Sequence, residues 1–221
     1  PYVVMETLEG NSLSSLGDSI PDSDKKKIRK DSGMLNRKIN NITGESFGYI
    51  CQPPMQDKNW YTVFCRMMEM AFSDAEAMSI DLKISVPLLK RFLENSRTVF
   101  EQVTVPCLVH WDLWDGNIFV KNSSITGLID WERSLWADPL MEVGFRTYGQ
   151  DPDFLSGYGR ETLSSQEYLR ALWYDIYLMV LVAQEYTYRQ YETTQMYDWS
   201  TGILTDKFAE LSQYYTRTSK S

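Results

Sequence analysis

The stretch Leu108-Val-His-Trp-Asp-Leu-Trp-Asp-Gly-Asn-Ile-Phe-Val120, followed by Leu128-Ile-Asp-Trp-Glu132, constrains this chain more than any other. It carries the sole histidine of the 221 residues, His110, together with Asp112, Asn117 and Asp130. The apolar runs Leu108-Val109 and Ile118 to Val120 read as short buried strands or strand ends that fix the polar residues between them. Side chains set between such anchors are preorganised. Asn122-Ser123-Ser124 reads as the tip of a hairpin joining Ile118 to Lys121 with Ile125 to Asp130, which brings Asn117 and Asp130 together at its open end. A lone histidine cannot build a metal site, so His110 is expected to hold the loop through its ring.

The spacing resembles the catalytic segment of the protein-kinase-like superfamily, and within it the aminoglycoside phosphotransferase and choline kinase-like family. The signature there is His-Gly-Asp, four residues, Asn, then Ile-Asp-Trp. The counterparts here are His110-Trp111-Asp112, Asn117 and Ile129-Asp130-Trp131. Each short motif alone would be weak, since Asp-Gly-Asn is usually a turn and Ile-Asp-Trp a strand end; in order and at this spacing they point to phosphotransferase ancestry. The resemblance implies transfer of the γ-phosphoryl of ATP or GTP to a hydroxyl of a small molecule, an aminoglycoside, an amino-alcohol or a sugar. Asp112 would be the catalytic base, with His110 supporting its loop. Asn117 and Asp130 would hold Mg2+, the first through a neutral oxygen and the second as the anionic ligand. Two departures stand out. Trp111 replaces the small residue common in the antibiotic-modifying members, and Trp114 takes the place of the lysine that meets the transferred phosphate in protein kinases.

The opening Pro1-Tyr-Val-Val-Met-Glu-Thr-Leu-Glu-Gly-Asn-Ser-Leu13 resembles the family's hinge between a small nucleotide-binding lobe and a large lobe. By that resemblance the backbone of Met5 and Thr7 would meet the nucleotide base, with Phe119 and Ile129 as its apolar floor. On the residues alone, a plain edge strand is an equal reading. The expectation is a mainly α chain with a small β hairpin (α+β), the large C-terminal lobe of a kinase-like fold, with the small lobe outside the sequence. Residues 1–221 would form one domain, with 1–13 as the hinge-like segment and 108–132 as the catalytic and metal-binding one.

Apolar periodicity predicts the helices around that segment. One runs from a cap at Asp22 or Ser23 to about Lys38, one from Asn59 to Met78, and one from Val86 or Pro87 to about Val103, the last two packing together under the catalytic loop. The methionines of the second, Met67, Met68 and Met78 among them, read as core filling. Ile42 to Ile50, with two glycines and alternating apolar positions, suggests a loop or short extended connector near the site's rim. Asp138 is placed to cap a helix that starts at Pro139, and in relatives this carboxylate also braces the catalytic loop. Asp151 to Gly159 reads as a surface loop, with a pocket-lining role as the lesser alternative. Ser165 to Tyr191 and Thr205 to Thr218 complete the helices.

Charge and cysteine usage bound the partners. A net charge of −8 argues against nucleic acid, whose binding relies on basic side chains displacing counterions, and suits a cationic acceptor. Three cysteines with no paired motif suggest reduced thiols and a cytoplasmic location. The uncharged stretch Ile176 to Gln184 is too short to cross a membrane. Two further readings remain beside the phosphotransferase: a non-catalytic nucleotide- or metabolite-binding module, and a self-associating fragment that buries its hinge strand in a homodimer.

Overall fold

The computed structural model describes residues 7–218. Short strands form two small antiparallel sheets, and helices make up the rest of the framework. The first sheet joins β1 (Asn11–Ser12), β4 (Ile118–Lys121) and β5 (Ser124–Leu128) in the order β1-β4-β5. The second joins β2 (Gly48–Tyr49), β3 (Cys107–Val109) and β6 (Leu135–Ala137) in the order β2-β6-β3. The expected hairpin is β4–β5. Its two-residue turn, Asn122-Ser123, has both residues at positive φ, the geometry whose twist matches the flanking strands. Ile118 pairs with Leu128, and the Ile129 amide continues the ladder by donating to the Asn117 carbonyl at 3.1 Å.

Helix α1 (Leu13–Leu16) leads to α2 (Asp22–Asn40), in which neither Asp22 nor Ser23 is the cap as expected: both lie inside the first turn, and Pro21 holds the cap position with no side-chain hydrogen bond. Helix α3 (Trp60–Ala77) is capped by Asn59, whose oxygen accepts from the Thr62 amide at 2.9 Å. The single helix expected from Val86 to Val103 is two, α4 (Val86–Asn95) and α5 (Arg97–Phe100), parted at Ser96. The Ser96 hydroxyl donates to the Phe92 carbonyl at 2.9 Å, accepts from the Trp173 indole at 2.7 Å and bonds the Tyr215 hydroxyl. That polar knot in the core outweighs helix continuation.

Asp151 to Gly159 is a helix, α6 (Pro152–Tyr158), and not the expected loop. The Asp151 carboxylate caps the amides of Asp153 and Phe154, Pro152 starts the first turn, and Gly159 closes it at φ +78. Helix α7 (Ser165–Tyr188) opens with a Ser164–Glu167 capping box. Helix α8 (Gln195–Thr218) begins ten residues before the expected Thr205. Among the described residues no helix is long and apolar enough to cross a membrane.

The main core lies between α3, α5 and α7, where Trp60, Phe64, Phe100, Trp173 and Tyr174 are fully buried. Met67 and Met68 belong to it as expected, whereas Met78 is half-buried in a cavity wall and Met70 on the same helix is exposed. A smaller cluster of Leu13, Ile28, Leu113, Ile118 and Val120 anchors the hairpin to α1 and α2. Helices α2 and α6 cross at backbone contact. A Cβ on Gly157 would fall 2.0 Å from the Lys30 carbonyl oxygen, and one on Gly33 would fall 2.1 Å from that of Phe154. Gly157→Ala should therefore destabilise the fold by about 1–3 kcal/mol, read as a lower urea midpoint with unchanged slope.

Candidate active site

The pairing of β3 with β6 places Val109 opposite Leu135, and the chain leaves β3 directly into His110. His110 is fully buried. Its amide and that of Trp111 donate to the two carboxylate oxygens of the equally buried Glu142, at 3.0 and 2.8 Å. The imidazole bridges in the other direction. Its Nε2 lies 2.9 Å from the Ile129 carbonyl and its Nδ1 lies 3.3 Å from the Asp112 amide. A proton on Nε2 serves both contacts, Nε2 donating to the carbonyl and Nδ1 accepting from the amide. The ring thus ties the loop before Asp112 to the residue before Asp130.

Trp111 and Asp130 both adopt φ +66, a left-handed conformation that non-glycine residues rarely occupy. Asp112, which follows Trp111, is half-buried. Burial pushes its carboxyl above the ordinary aspartate range; the charge of Arg133 opposes this, that of Asp130 adds to it, and His110 and Arg146 oppose it more weakly. The Asn117 amide nitrogen donates to the Asp112 carbonyl oxygen at 2.8 Å and approaches its Oδ2 at 3.4 Å. Because a backbone carbonyl can only accept, that contact assigns the amide nitrogen to Asp112 and leaves the amide oxygen for a cation. Asp130 is exposed, and among the described residues no three His, Cys, Asp or Glu side chains gather to hold a metal. A site of one carboxylate and one amide fits Mg2+, which retains water and takes phosphate oxygens.

The remaining residues of interest spread along the hairpin and its neighbours. Phe119 is half-buried in β4, paired with Ser12 on one side and Gly127 on the other. Ile129 adjoins it, with its amide on Asn117 and its carbonyl on His110. Thr7 is exposed, and Met5 lies outside the described residues. Trp114 is 53% exposed. Beside it Asp115 receives both guanidinium ends of Arg29 from α2, one contact at 2.6 Å, and Arg29 also reaches Asp151 at 3.3 Å.

A cavity of about 560 Å3 opens beside the loop, with Trp111 and Arg133 in its wall. The Trp111 ring stacks on Tyr177, with centroids 5.4 Å apart, and meets the edge of Tyr49 at 6.1 Å. The Arg133 guanidinium lies 6.0 Å from the Trp111 ring centre and bonds Glu185 at 3.2 Å. Asp74, Glu132 and Glu185 face the same space against the single cation Arg133. The lining thus carries more acidic than basic side chains, and Arg133 is itself bonded to Glu185.

Bracing of the loop falls to Glu142 and not to Asp138. Asp138 caps a single 3-10 turn, Pro139–Met141, in place of the expected helix, and is held by Arg170 Nε at 2.6 Å and the Tyr174 hydroxyl at 2.9 Å. The acidic side chain four residues on returns to the loop because that turn redirects the chain. Arg133, Asp74 and Glu185 also escaped the sequence reading. Asp74 and Glu185 come from α3 and α7, and only tertiary packing brings them to Arg133.

A model of the family described as phosphotransferase enzyme family (APH) matches residues 1–174. The chain belongs to that family. Its fold is also that of solved aminoglycoside phosphotransferases. A thermostable mutant of APH(4)-Ia in its apo form superposes with a TM-score of 0.65 at 16% identity, covering 92% of this chain and 70% of that one. ADP-bound APH(2'')-Ib gives 0.54 at 16% identity, covering 94% and 71%. The streptomycin–ATP–APH(2")-IIa ternary complex gives 0.52 at 15% identity, covering 95% and 68%. No curated protein matches in sequence.

Replacing Glu142 by Gln keeps the shape but puts an amide group where one amide donor now finds its acceptor. We expect a loss of about 1–3 kcal/mol of stability, measured by denaturant unfolding, with hydrogen-exchange protection falling first at the amides of His110 and Trp111.

Proposed function

We propose that this chain transfers the γ-phosphoryl group of ATP or GTP to a hydroxyl of a small, positively charged molecule. The observation that carries the reading is the cross-linked loop and hairpin. His110 bonds Ile129, Asn117 bonds Asp112, and the charge of Asp130 is felt at the Asp112 carboxyl. In this reading the acceptor oxygen attacks the γ-phosphorus and the bond to the β–γ bridging oxygen breaks. The hydroxyl proton passes to an Asp112 oxygen, and the nucleoside diphosphate leaves with the bridging oxygen. Asn117 Oδ1 and the Asp130 carboxylate would hold Mg2+, which neutralises charge on the phosphates. Phe119 and Ile129 offer apolar surface to the base. The acceptor would enter by the cavity at Trp111 and Arg133, its ammonium groups drawn by Asp74, Glu132 and Glu185.

Calorimetric titration with magnesium-ATP and magnesium-GTP tests the nucleotide site. Asp130→Asn should abolish metal-dependent binding, and unchanged binding in that variant would remove Asp130 from the metal site. Asp112→Asn should leave nucleotide binding intact while turnover falls by about 10²–10⁴-fold, the usual worth of a general base.

The Asp112 shift also fixes a pH dependence. A carboxyl whose folded pKa is raised is ionised, and able to take a proton, only above that raised value, so activity is lost as pH falls through it. The acid limb of kcat/KM should lie above the ordinary aspartate range. Arg133 opposes the shift, so Arg133→Gln should move the limb to higher pH; a limb that stays in place would detach Arg133 from Asp112. The same carboxylate is held against its own burial at neutral pH, so Asp112→Asn should unfold at a temperature no lower than the wild type there.

A further inference from the structure

The large cavity does not end at its charged wall. Tyr49, Gln52, Asp74 and Leu181 line it and also line a second cavity of about 210 Å3, so the two meet at these four residues. The second is of another chemical kind. Its walls are largely Met55, Val63, Met67, Met70 and Ala71, with the ring of Tyr177. Its one basic group, Arg66, is engaged by Asp57 at 3.2 Å. At the junction the hydroxyls of Tyr49 and Tyr177 bond each other at 3.0 Å. Burial pushes the Tyr49 hydroxyl up to about 12 and that of Tyr177 upward as well, so both stay uncharged. A guest reaching from the first cavity into the second therefore passes from carboxylates and a guanidinium, past Asp74, Gln52 and two neutral hydroxyls at the junction, to a wall that is mostly thioether and aliphatic carbon.

We infer that the acceptor is amphipathic: a hydroxyl- and amine-bearing head in the larger cavity beside the catalytic loop, and a short alkyl or aryl group in the methionine-lined one. A wholly polar polyamine would leave the second cavity unused. The side cavity measures several times the roughly 30 Å3 that a water molecule occupies in the liquid, room for a phenyl ring or a few methylenes. Its methionines are unbranched and polarisable, side chains that adapt to apolar groups of varied shape. The inference rests on the phosphotransferase reading only for which end of the guest faces Asp112.

Calorimetric titration of two probes into the 221-residue chain tests it. Ethanolamine supplies the head alone, and phenylalaninol adds a benzyl group to the same head. Phenylalaninol should bind about tenfold or more tighter, since each buried methylene is worth about fourfold in affinity. Met70 is 45% exposed at the rim, so Met70→Glu introduces a charge there without disturbing the core. That variant should erase most of the preference, and Met70→Leu should keep it. Equal affinities in the wild type, failure of phenylalaninol to bind, or an undiminished preference in Met70→Glu would each overturn the inference. These readouts are of binding, so a chain that binds phenylalaninol as described but transfers no phosphoryl group to any acceptor would remove the phosphotransferase reading alone.

Discussion

The site depends on one buried carboxylate. Glu142 is fully enclosed and accepts from two consecutive amides, those of His110 and Trp111. A buried charge is tolerated only when hydrogen-bonded, and an ionised acceptor bonds more strongly than a neutral one. The clamp fixes the peptide that bears His110, and the imidazole then fixes Ile129 at 2.9 Å. Two segments 19 residues apart in the chain are thereby held in one register. The β3–β6 pairing upstream and the Pro139–Met141 turn downstream exist in the right place because they return Glu142 to β3.

Around this frame the charges are arranged so that Asp112 is a stronger base than a surface aspartate without being isolated. Burial and Asp130 act in one direction, and Arg133, His110 and Arg146 in the other. Arg133 is itself divided between Glu185 and the Trp111 ring, and Arg146 lies 3.9 Å from the buried Asp175. Neither cation bonds Asp112 directly among the contacts described, so the carboxyl feels their field without an ion pair, and the side-chain contact described at its oxygens is the long approach of the Asn117 amide at 3.4 Å. A directly paired aspartate would be a weaker base.

What was legible in the sequence is what local pattern encodes. The hairpin follows from alternation and its polar turn, and α2, α3 and α7 follow from apolar spacing. The residues His110, Asp112 and Asn117 lie close enough in sequence for their spacing to carry their contacts. Failures occurred where a distant partner decides. Ser96 breaks a helix that its own neighbours would continue, because Trp173 and Tyr215 claim its hydroxyl. The α6 segment reads as a loop, although Asp151-Pro152 and Gly159 are helix start and stop signals; Gly157 serves contact with Lys30 and not a turn. Glu142 was overlooked in favour of Asp138, since spacing alone cannot say which of two carboxylates a 3-10 turn will carry back to the loop. The acidic cavity was out of reach, its walls being drawn from α3, α7 and the segment after Asp130.

The backbone strain at the site has a geometric reason. His110 and Ile129, joined by the imidazole, immediately precede Trp111 and Asp130, the two residues at φ +66. Each left-handed residue is disfavoured by about 1–2 kcal/mol for a side chain with a Cβ. Neither is glycine, so neither conformation is intrinsically easy, and both persist because the bonds beside them leave no alternative. At Trp111 the turn sends the indole into the core against Tyr177 and the next residue, Asp112, toward Asn117. At Asp130 it ends the hairpin ladder and starts the 3-10 turn Trp131–Arg133 that carries Arg133 to the cavity. A relaxed backbone at either position would keep the residues and lose their convergence. The strain, the buried Glu142 and the imidazole bridge are thus one device, which turns two carboxylates of like charge toward a common space.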